Sequence, residues 1–484
     1  MIYTVLICFV VGLTIGLPIV LTLIGATIMP GVINPDFAGN IQFVLRGIIG
    51  GGDNTGILAA PLFILSGIIM AKGGISEKIF NVFAYLLGPV RGGMPCAVIV
   101  TCLFYGAISG SGTATCAAVG SMTIPVLLSL GYDRKFSGAL VATSAGLGVI
   151  IPPSIPFIMY GMATGASIGS MFIAGIVPGF VIAGCLMAYS VIYCIRKGED
   201  RIRINAKVAE LRQKGFLPLL KESFWALLTP VILLGGIYSG VVTTTEVACV
   251  SVIYALIVSV FVYKTVKPSK LYWLMSESCK SMAPIALMLA VATAFGRILT
   301  MLQIPTMLSS FITSNFSSKV EVLLMINVVL LFVGMVMDTG PALMILAPML
   351  MPLANALNID LIHLGIIMVV NMAIGFVTPP FGMTLFVASP ICEVSPMQLG
   401  KRALPFIATF LVALLLIFLK SVFACFKNIL SMMEKERSTD EKVNFNLSCR
   451  LYHFGIVGMW RWDLSHRIRK PCYCPWEQHS LSGI

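Results

Sequence analysis

Apolar residues run through this chain in long blocks, and the charged positions that separate them are bunched. Residues 92–132, 136–195 and 361–392 contain no Asp, Glu, Lys or Arg. About 20 apolar residues cross a bilayer as a helix. Each block therefore predicts one membrane helix or a pair, and the whole chain predicts roughly ten or more membrane segments. The expected fold class is an all-α polytopic membrane protein.

The polar positions inside the apolar blocks are few and recur in two forms. One is a glycine-rich kink, GAISGSGTAT at 106–115 and MDTGPA at 337–342. The other is a double-proline break, GLGVIIPPSIPF at 146–157 and AIGFVTPPFGMT at 373–384. A shift of 227 residues lays 111–178 on 338–405 without gaps. Pro125 then falls on Pro352, Pro152-Pro153 on Pro379-Pro380, and Pro178 on Pro405. Asp133, Gly138 and Gly148 fall on Asp360, Gly365 and Gly375. The chain thus reads as one unit used twice, at about 40–195 and 270–420. Proline removes a backbone N–H and interrupts a helix. Unwound backbone within a bilayer survives only when buried in protein or lining a wet cavity. Matched Gly/Pro interruptions in two halves point to a transporter's binding site.

Composition agrees with this pattern. Hydrophobic residues make up 58% of the chain, charged residues 11%, and mean hydropathy is +0.97. Soluble domains carry about a quarter charged residues. The net charge of +12 therefore reads as the basic bias of cytoplasmic loops, not as a nucleic-acid footprint. The longest polar segment, Arg196 to Glu222, holds eight Lys/Arg against four acids. It is expected to be a cytoplasmic loop, spanning about 196–224. Lys264, Lys267 and Lys270 form a second basic flank. The 13 cysteines are mostly single residues in apolar runs, as inert buried thiols are. The N-terminus has no basic leader region, so it reads as a retained first helix.

Asp338 is the only Asp, Glu, Lys or Arg between positions 322 and 359, and a lone carboxylate in lipid is costly. Its Asp-Thr-Gly context suggests an aspartic-protease half-site, but that chemistry needs two carboxylates sharing a proton. The repeat partner of Asp338 is Ser111, so no enzyme activity is expected. Freed carbonyls, hydroxyls and one carboxylate suit a small hard cation such as Na⁺. The first repeat offers Ser109, Ser111 and Thr113 with carbonyls near Gly112, Gly148 and Ile151. The second offers Asp338 and Thr339 with carbonyls near Gly375, Thr378 and Pro379. Half-helix N-termini at the same kinks could face an anionic substrate. Arg297 reads as snorkelling to an interface, and His363 as interfacial. From about Phe426 the composition changes, and 426–484 reads as an atypical, disordered tail. Its Cys472, Cys474, His466 and His479 have no zinc-ligand spacing.

At these motifs the chain resembles the large membrane subunit of tripartite ATP-independent periplasmic (TRAP) transporters. The matching stretches are APLFILSGIIMAKGGISEKI (60–79), GAISGSGTATCAAVGSMTIP (106–125), GLGVIIPPSIPFIMYG (146–161), TTTEVACVSVIYAL (243–256) and IDLIHLGIIMVVNMAIGFVTPPFGMTLFVAS (359–389). The resemblance implies two inverted-topology repeats with re-entrant hairpins, working as a Na⁺-driven, elevator-type importer in the bacterial inner membrane. It implies a C4-dicarboxylate, sialic acid or similar carboxylate as substrate, delivered by a periplasmic binding protein. A small four-helix membrane subunit is implied as a partner, expected as a separate chain because Met1 begins at the first helix. A carrier that needs no binding protein is the alternative. By the same resemblance, one sodium site falls at Ser109, Ser111, Gly112, Gly148, Ile151 and Pro152. A second falls at Asp338, Thr339, Gly375, Thr378 and Met383, and substrate contacts at Thr113, Ser154, Asn371 and Thr384. Thr384 stands where many relatives are expected to carry Asn.

Overall fold

The computed structural model describes residues 2–418, apart from 35, 36, 38, 54–57, 214, 240, 241, 317 and 380. Pro380 and the 426–484 tail, with its cysteines and histidines, therefore lie outside the described residues. Met1–Phe423 form one unit. Its helices are α1 (Ile2–Thr14), α2 (Ile19–Ile33), α3 (Ile41–Gly52), α4 (Ala59–Lys72), α5 (Ile75–Leu87), α6 (Gly93–Ser109) and α7 (Gly112–Ser129). They continue with α8 (Arg134–Ser144), α9 (Ile155–Thr164), α10 (Ile168–Lys197), α11 (Arg201–Gln213), α12 (Phe216–Tyr238), α13 (Thr244–Leu256) and α14 (Leu271–Met301). The last six are α15 (Ile304–Asn315), α16 (Lys319–Val336), α17 (Thr339–Ala356), α18 (Leu361–Gly375), α19 (Met383–Cys392) and α20 (Pro396–Phe418). No strand occurs among the described residues. Among the described residues eight helices are long and apolar enough to cross a membrane, or nine if the bent pair α4–α5 counts as one span.

The 227-residue shift that aligns the prolines also aligns helix boundaries. It carries α7 onto α17, the end of α6 onto the end of α16, and the start of α8 onto the start of α18. The capping chemistry moves with it. Ser111 and Asp338 are the N-caps of α7 and α17, and Asp133 and Asp360 those of α8 and α18. A helix start leaves several backbone N–H groups without helical partners, and a side-chain oxygen there satisfies one of them. The aligned aspartates 133 and 360 are explained by this role alone.

α6 and α7 fold back on each other as a hairpin, and one carboxylate closes its base. The backbone N–H of Gly92, just before α6, donates to both Glu199 oxygens at 3.1 and 3.2 Å. The Tyr132 hydroxyl, just after α7, donates to Glu199 Oε1 at 2.6 Å. Arg201 Nε lies 3.7 Å from Oε2, and the Glu199 side chain is only 3% exposed. Burial first, and then this bond, push the Tyr132 hydroxyl above its usual pKa, so the phenol stays a donor. In the second hairpin, α16–α17, Lys319 Nζ at the start of the first arm donates to the Asn358 carbonyl after the second, at 2.8 Å.

The segment expected as a basic loop is helical instead. α10 runs on to Lys197, α11 fills Arg201–Gln213, and α12 starts at Phe216. Ile204, Val208 and Leu211 recur at helical spacing and are buried. One apolar stripe of this kind is enough to dock an otherwise charged helix. Arg201 fastens its start by donating to the Pro89 and Val90 carbonyls.

Elsewhere large apolar side chains point outward, among them Phe224, Val231, Val328, Phe332 and Val336. That is the expected surface for lipid contact. Arg297 is exposed on α14.

Glu199→Ala is expected to leave the Gly92 N–H and the Tyr132 hydroxyl without their acceptor, costing about 2–4 kcal/mol together. Lys319→Ala frees only a surface carbonyl that water can serve, and is expected to change stability by less than about 0.5 kcal/mol. Thermal melting of the purified variants in one detergent checks the order.

Candidate functional site

The two hairpin tips meet at one cavity of about 1130 Å³. Ser109–Ala114 of the first tip and Asp338–Pro341 of the second both line it, with Phe376 and Met383 from the second break. Its charged lining residues are Lys72, Glu77, Glu277 and Asp338. Of the sequence-derived site residues, Ser109, Ser111, Gly112, Thr113, Asp338, Thr339 and Met383 border this space. Gly148, Ile151, Pro152, Ser154, Asn371, Gly375, Thr378 and Thr384 do not. They are buried behind it.

The first tip is a small network of oxygens. Thr115 Oγ1 lies 2.9 Å from Ser109 Oγ and donates to the Ser111 carbonyl at 2.8 Å. Ser111 Oγ lies 3.2 Å from Thr113 Oγ1 and caps α7 through the Ala114 N–H. The first double-proline break presses against this tip, because the Ile155 N–H donates to the Gly110 carbonyl at 3.2 Å. Ser154 turns inward, where its hydroxyl donates to the Val149 carbonyl and caps α9. Thr115 was not singled out in the sequence, although it stands one helical turn beyond Ser111 in the same kink.

At the second tip, Asp338 Oδ1 accepts from the Thr339 N–H at 2.7 Å. The Thr339 hydroxyl is buried and has no hydrogen-bond partner among the described residues. A buried hydroxyl left unpaired beside a carboxylate is incomplete as protein chemistry, and it fits an oxygen-seeking cation. Behind the tip, Thr378 Oγ1 donates to Ile374 O, and Thr384 Oγ1 donates to Phe376 O at 2.9 Å. Cys116 on α7 donates its thiol to Thr384 O at 3.4 Å, which ties the first hairpin to the second break. Asn371 is fully buried and donates to Asn327 Oδ1 and Ile367 O. Its place is between α18 and α16, apart from the cavity. Among the described residues no group of three or more His, Cys, Asp or Glu could hold a metal ion. The candidate donors are hydroxyls, carbonyls and one carboxylate.

Glycine lets the breaks come close enough to build these tips. A Cβ at Gly106 would fall 2.5 Å from Gly148 Cα, and one at Gly375 would fall 2.4 Å from the carbonyl carbon of Gly334. In each half, an arm of the hairpin and the neighbouring interrupted helix therefore touch backbone to backbone.

Residues 2–423 match the family model for the tripartite ATP-independent periplasmic transporter, DctM component. The chain is 41% identical over 407 residues to the isethionate TRAP transporter permease protein DctMQ of Oleidesulfovibrio alaskensis, covering 84% of this chain and 62% of that protein. It is 39% identical to the C4-dicarboxylate TRAP transporter large permease protein DctM of Pseudomonas aeruginosa, covering 75% of this chain and 83% of that one. Against the sialic acid TRAP transporter large permease protein SiaM of Vibrio cholerae it is 35% identical, covering 78% and 87%. These relatives are named as transport proteins, not enzymes. The structure of the Alcanivorax borkumensis YdaH transporter shares the fold, with a TM-score of 0.56 at 16% identity, covering 80% of this chain and 90% of that one.

Gly375→Ala is expected to force α16 and α18 apart and lower the melting temperature sharply. Overpacking of this kind costs about 1–3 kcal/mol or more. Gly235→Ala on α12, where an added Cβ meets nothing within 4 Å, is the control and is expected to melt as the parent does.

Proposed function

The chain belongs to the DctM component family of tripartite ATP-independent periplasmic transporters, and from that premise we propose that it imports a small organic acid with Na⁺. The observation that carries this reading is the convergence of both hairpin tips on one cavity. Transport through a closed bilayer needs a site that both sides can reach in turn, and broken helices around a cavity supply one. The substrate would be a small organic anion, in keeping with the isethionate, C4-dicarboxylate and sialic acid named for the relatives. A soluble periplasmic binding protein would deliver it, and a small membrane subunit would complete the permease in the bacterial inner membrane.

Na⁺ would be held at Ser109, Ser111 and Gly112 in one half, and at Asp338 and Thr339 in the other. Gly148, Ile151, Pro152, Gly375, Thr378 and Met383 would contribute backbone oxygens or shape the breaks. The unpartnered Thr339 hydroxyl supports the second site. The Ser109–Thr115–Ser111 network supports the first, because its oxygens are already gathered. Bound cations would give the anion its counter-charge, since the cavity carries three acids and one lysine. Thr113, at the cavity wall, is the residue among the proposed substrate contacts best placed to meet the anion. Ser154, Asn371 and Thr384 would act by holding the breaks in shape.

We read the two halves as inverted repeats, a reading the contacts at the hairpin bases support, and elevator-type movement is part of the proposal. The base of the first hairpin lies with the basic segment, through Glu199. The base of the second meets α9 instead, where Tyr160 donates to Leu361 O at 2.6 Å. α8 leaves the first base, and α9 continues past the first tip toward the second base.

Reconstitution with the binding protein and small subunit, followed by labelled organic acids under a Na⁺ gradient, tests the function. Uptake is expected only with all three components. Uptake by this chain alone would favour the standalone carrier. Asp338→Asn is expected to raise the Na⁺ concentration for half-maximal uptake by about tenfold or more, the loss of one charge-assisted contact. Unchanged Na⁺ dependence removes Asp338 from the ion site. Truncation after Lys427 keeps the whole family match and is expected to leave uptake intact.

A further inference from the structure

A second cavity, of about 540 Å³, lies at the base of the first hairpin, away from the two tips. It is framed by the end of α7, the start of α8, the end of α10 and Arg402 on α20. Its charged lining residues are Asp133, Lys135, Lys197, Glu199, Asp200 and Arg402. The formal charges cancel, but their commitments do not.

Each of the three acids is already occupied. Asp133 accepts from the Phe136 N–H as the cap of α8. Glu199 accepts from Gly92 and Tyr132 and faces Arg201. Asp200 accepts from the Arg203 N–H and pairs with Arg203 Nε at 2.9 Å. None of the three cations has an acid within ion-pair distance among the described residues.

Arg402 is also held in position. Its guanidinium lies 4.6 Å over the Tyr193 ring, which stacks on Phe136 at 4.1 Å. Stacking uses the face of a guanidinium and leaves its N–H edge free for a planar or tetrahedral oxyanion. Lys135 and Lys197 are exposed on the same wall, as flexible point charges. The cavity opens where α10 leaves its apolar stretch for the basic segment. Basic pockets at that level between membrane helices suit lipid head groups.

We propose that this cavity binds a phosphate-bearing anion at the membrane face that carries the basic segment, with Arg402 as the oriented donor and Lys135 and Lys197 as closing charges. Its volume suits a phosphate head group. Two sources share this chemistry, an anionic phospholipid of the surrounding leaflet and free phosphate in solution. A ligand here would join α8, α10 and α20 at the root of the hairpin without touching the transport cavity.

The test is native mass spectrometry and thermal melting of the full chain in detergent, with phosphatidylglycerol, phosphatidylcholine or inorganic phosphate added. The wild type is compared with Arg402→Gln, at a half-buried position, and with Lys135→Gln/Lys197→Gln, at two exposed positions. The ligand-induced shift of each variant is read against its own ligand-free melting temperature. Phosphatidylglycerol is expected to give retained adducts and a higher melting temperature, with adducts reduced several-fold in both variants and phosphatidylcholine inert. The same variant-sensitive stabilisation by phosphate alone would support the site and assign it to a soluble ion. Equal adducts on wild type and variants, or stabilisation by neither anion, would overturn the proposal. No outcome depends on uptake, so the result is independent of the transport reading.

Discussion

A helix that ends inside an apolar layer must find partners for its free backbone groups within the protein, because lipid offers none. The rest of this fold follows from that constraint. Serine or aspartate caps the helices that begin at the hairpin tips and just past the hairpin bases: Ser111, Asp133, Asp338 and Asp360. Ser154 does the same for α9 after the double proline. The polar residues that make the apolar blocks look interrupted are thus the ones that let the helices stop there.

The same constraint brings the breaks together. Unwound segments shielded by neighbouring backbone need glycine at the crossing, and the Gly106–Gly148 and Gly334–Gly375 contacts meet that need. The resulting cavity is bordered by hydroxyls and one tip carboxylate, and its single lysine is outnumbered by acids. Such a lining attracts cations in its own right. An organic anion would enter it only with positive charge already present.

Much of this was legible in the sequence because it rests on local chemistry. Charge-free blocks of more than 30 residues leave little besides membrane helices. Single prolines such as Pro125 and Pro352 sit inside continuous helices. Paired prolines and clustered polar glycine-rich residues do mark breaks, so the tips at Ser111 and Asp338 could be read residue by residue. Pairings across the fold could not. Nothing near Asn371 indicates that its partner is Asn327, and nothing near Gly148 names Gly106. Thr115 does not stand out in the sequence because a threonine within a helix is usually unremarkable. α11 reads as a loop in the sequence because its charges mask a stripe of only three apolar residues, Ile204, Val208 and Leu211. Its helical state depends on the surface it docks against.

The two hairpins share helix boundaries but are rooted differently. Glu199 grips the first from inside the protein, through two backbone and side-chain donors and a nearby arginine. The described tie across the second root is one exposed lysine reaching one carbonyl. The second root gains its further hold from outside the hairpin, where Tyr160 of α9 donates to Leu361 O at 2.6 Å. The duplicated unit has thus kept its helix boundaries in register while each copy found its own anchor. The first is moored to the segment that follows α10, and the second leans on a helix of the first half, so the copies are braced against different neighbours.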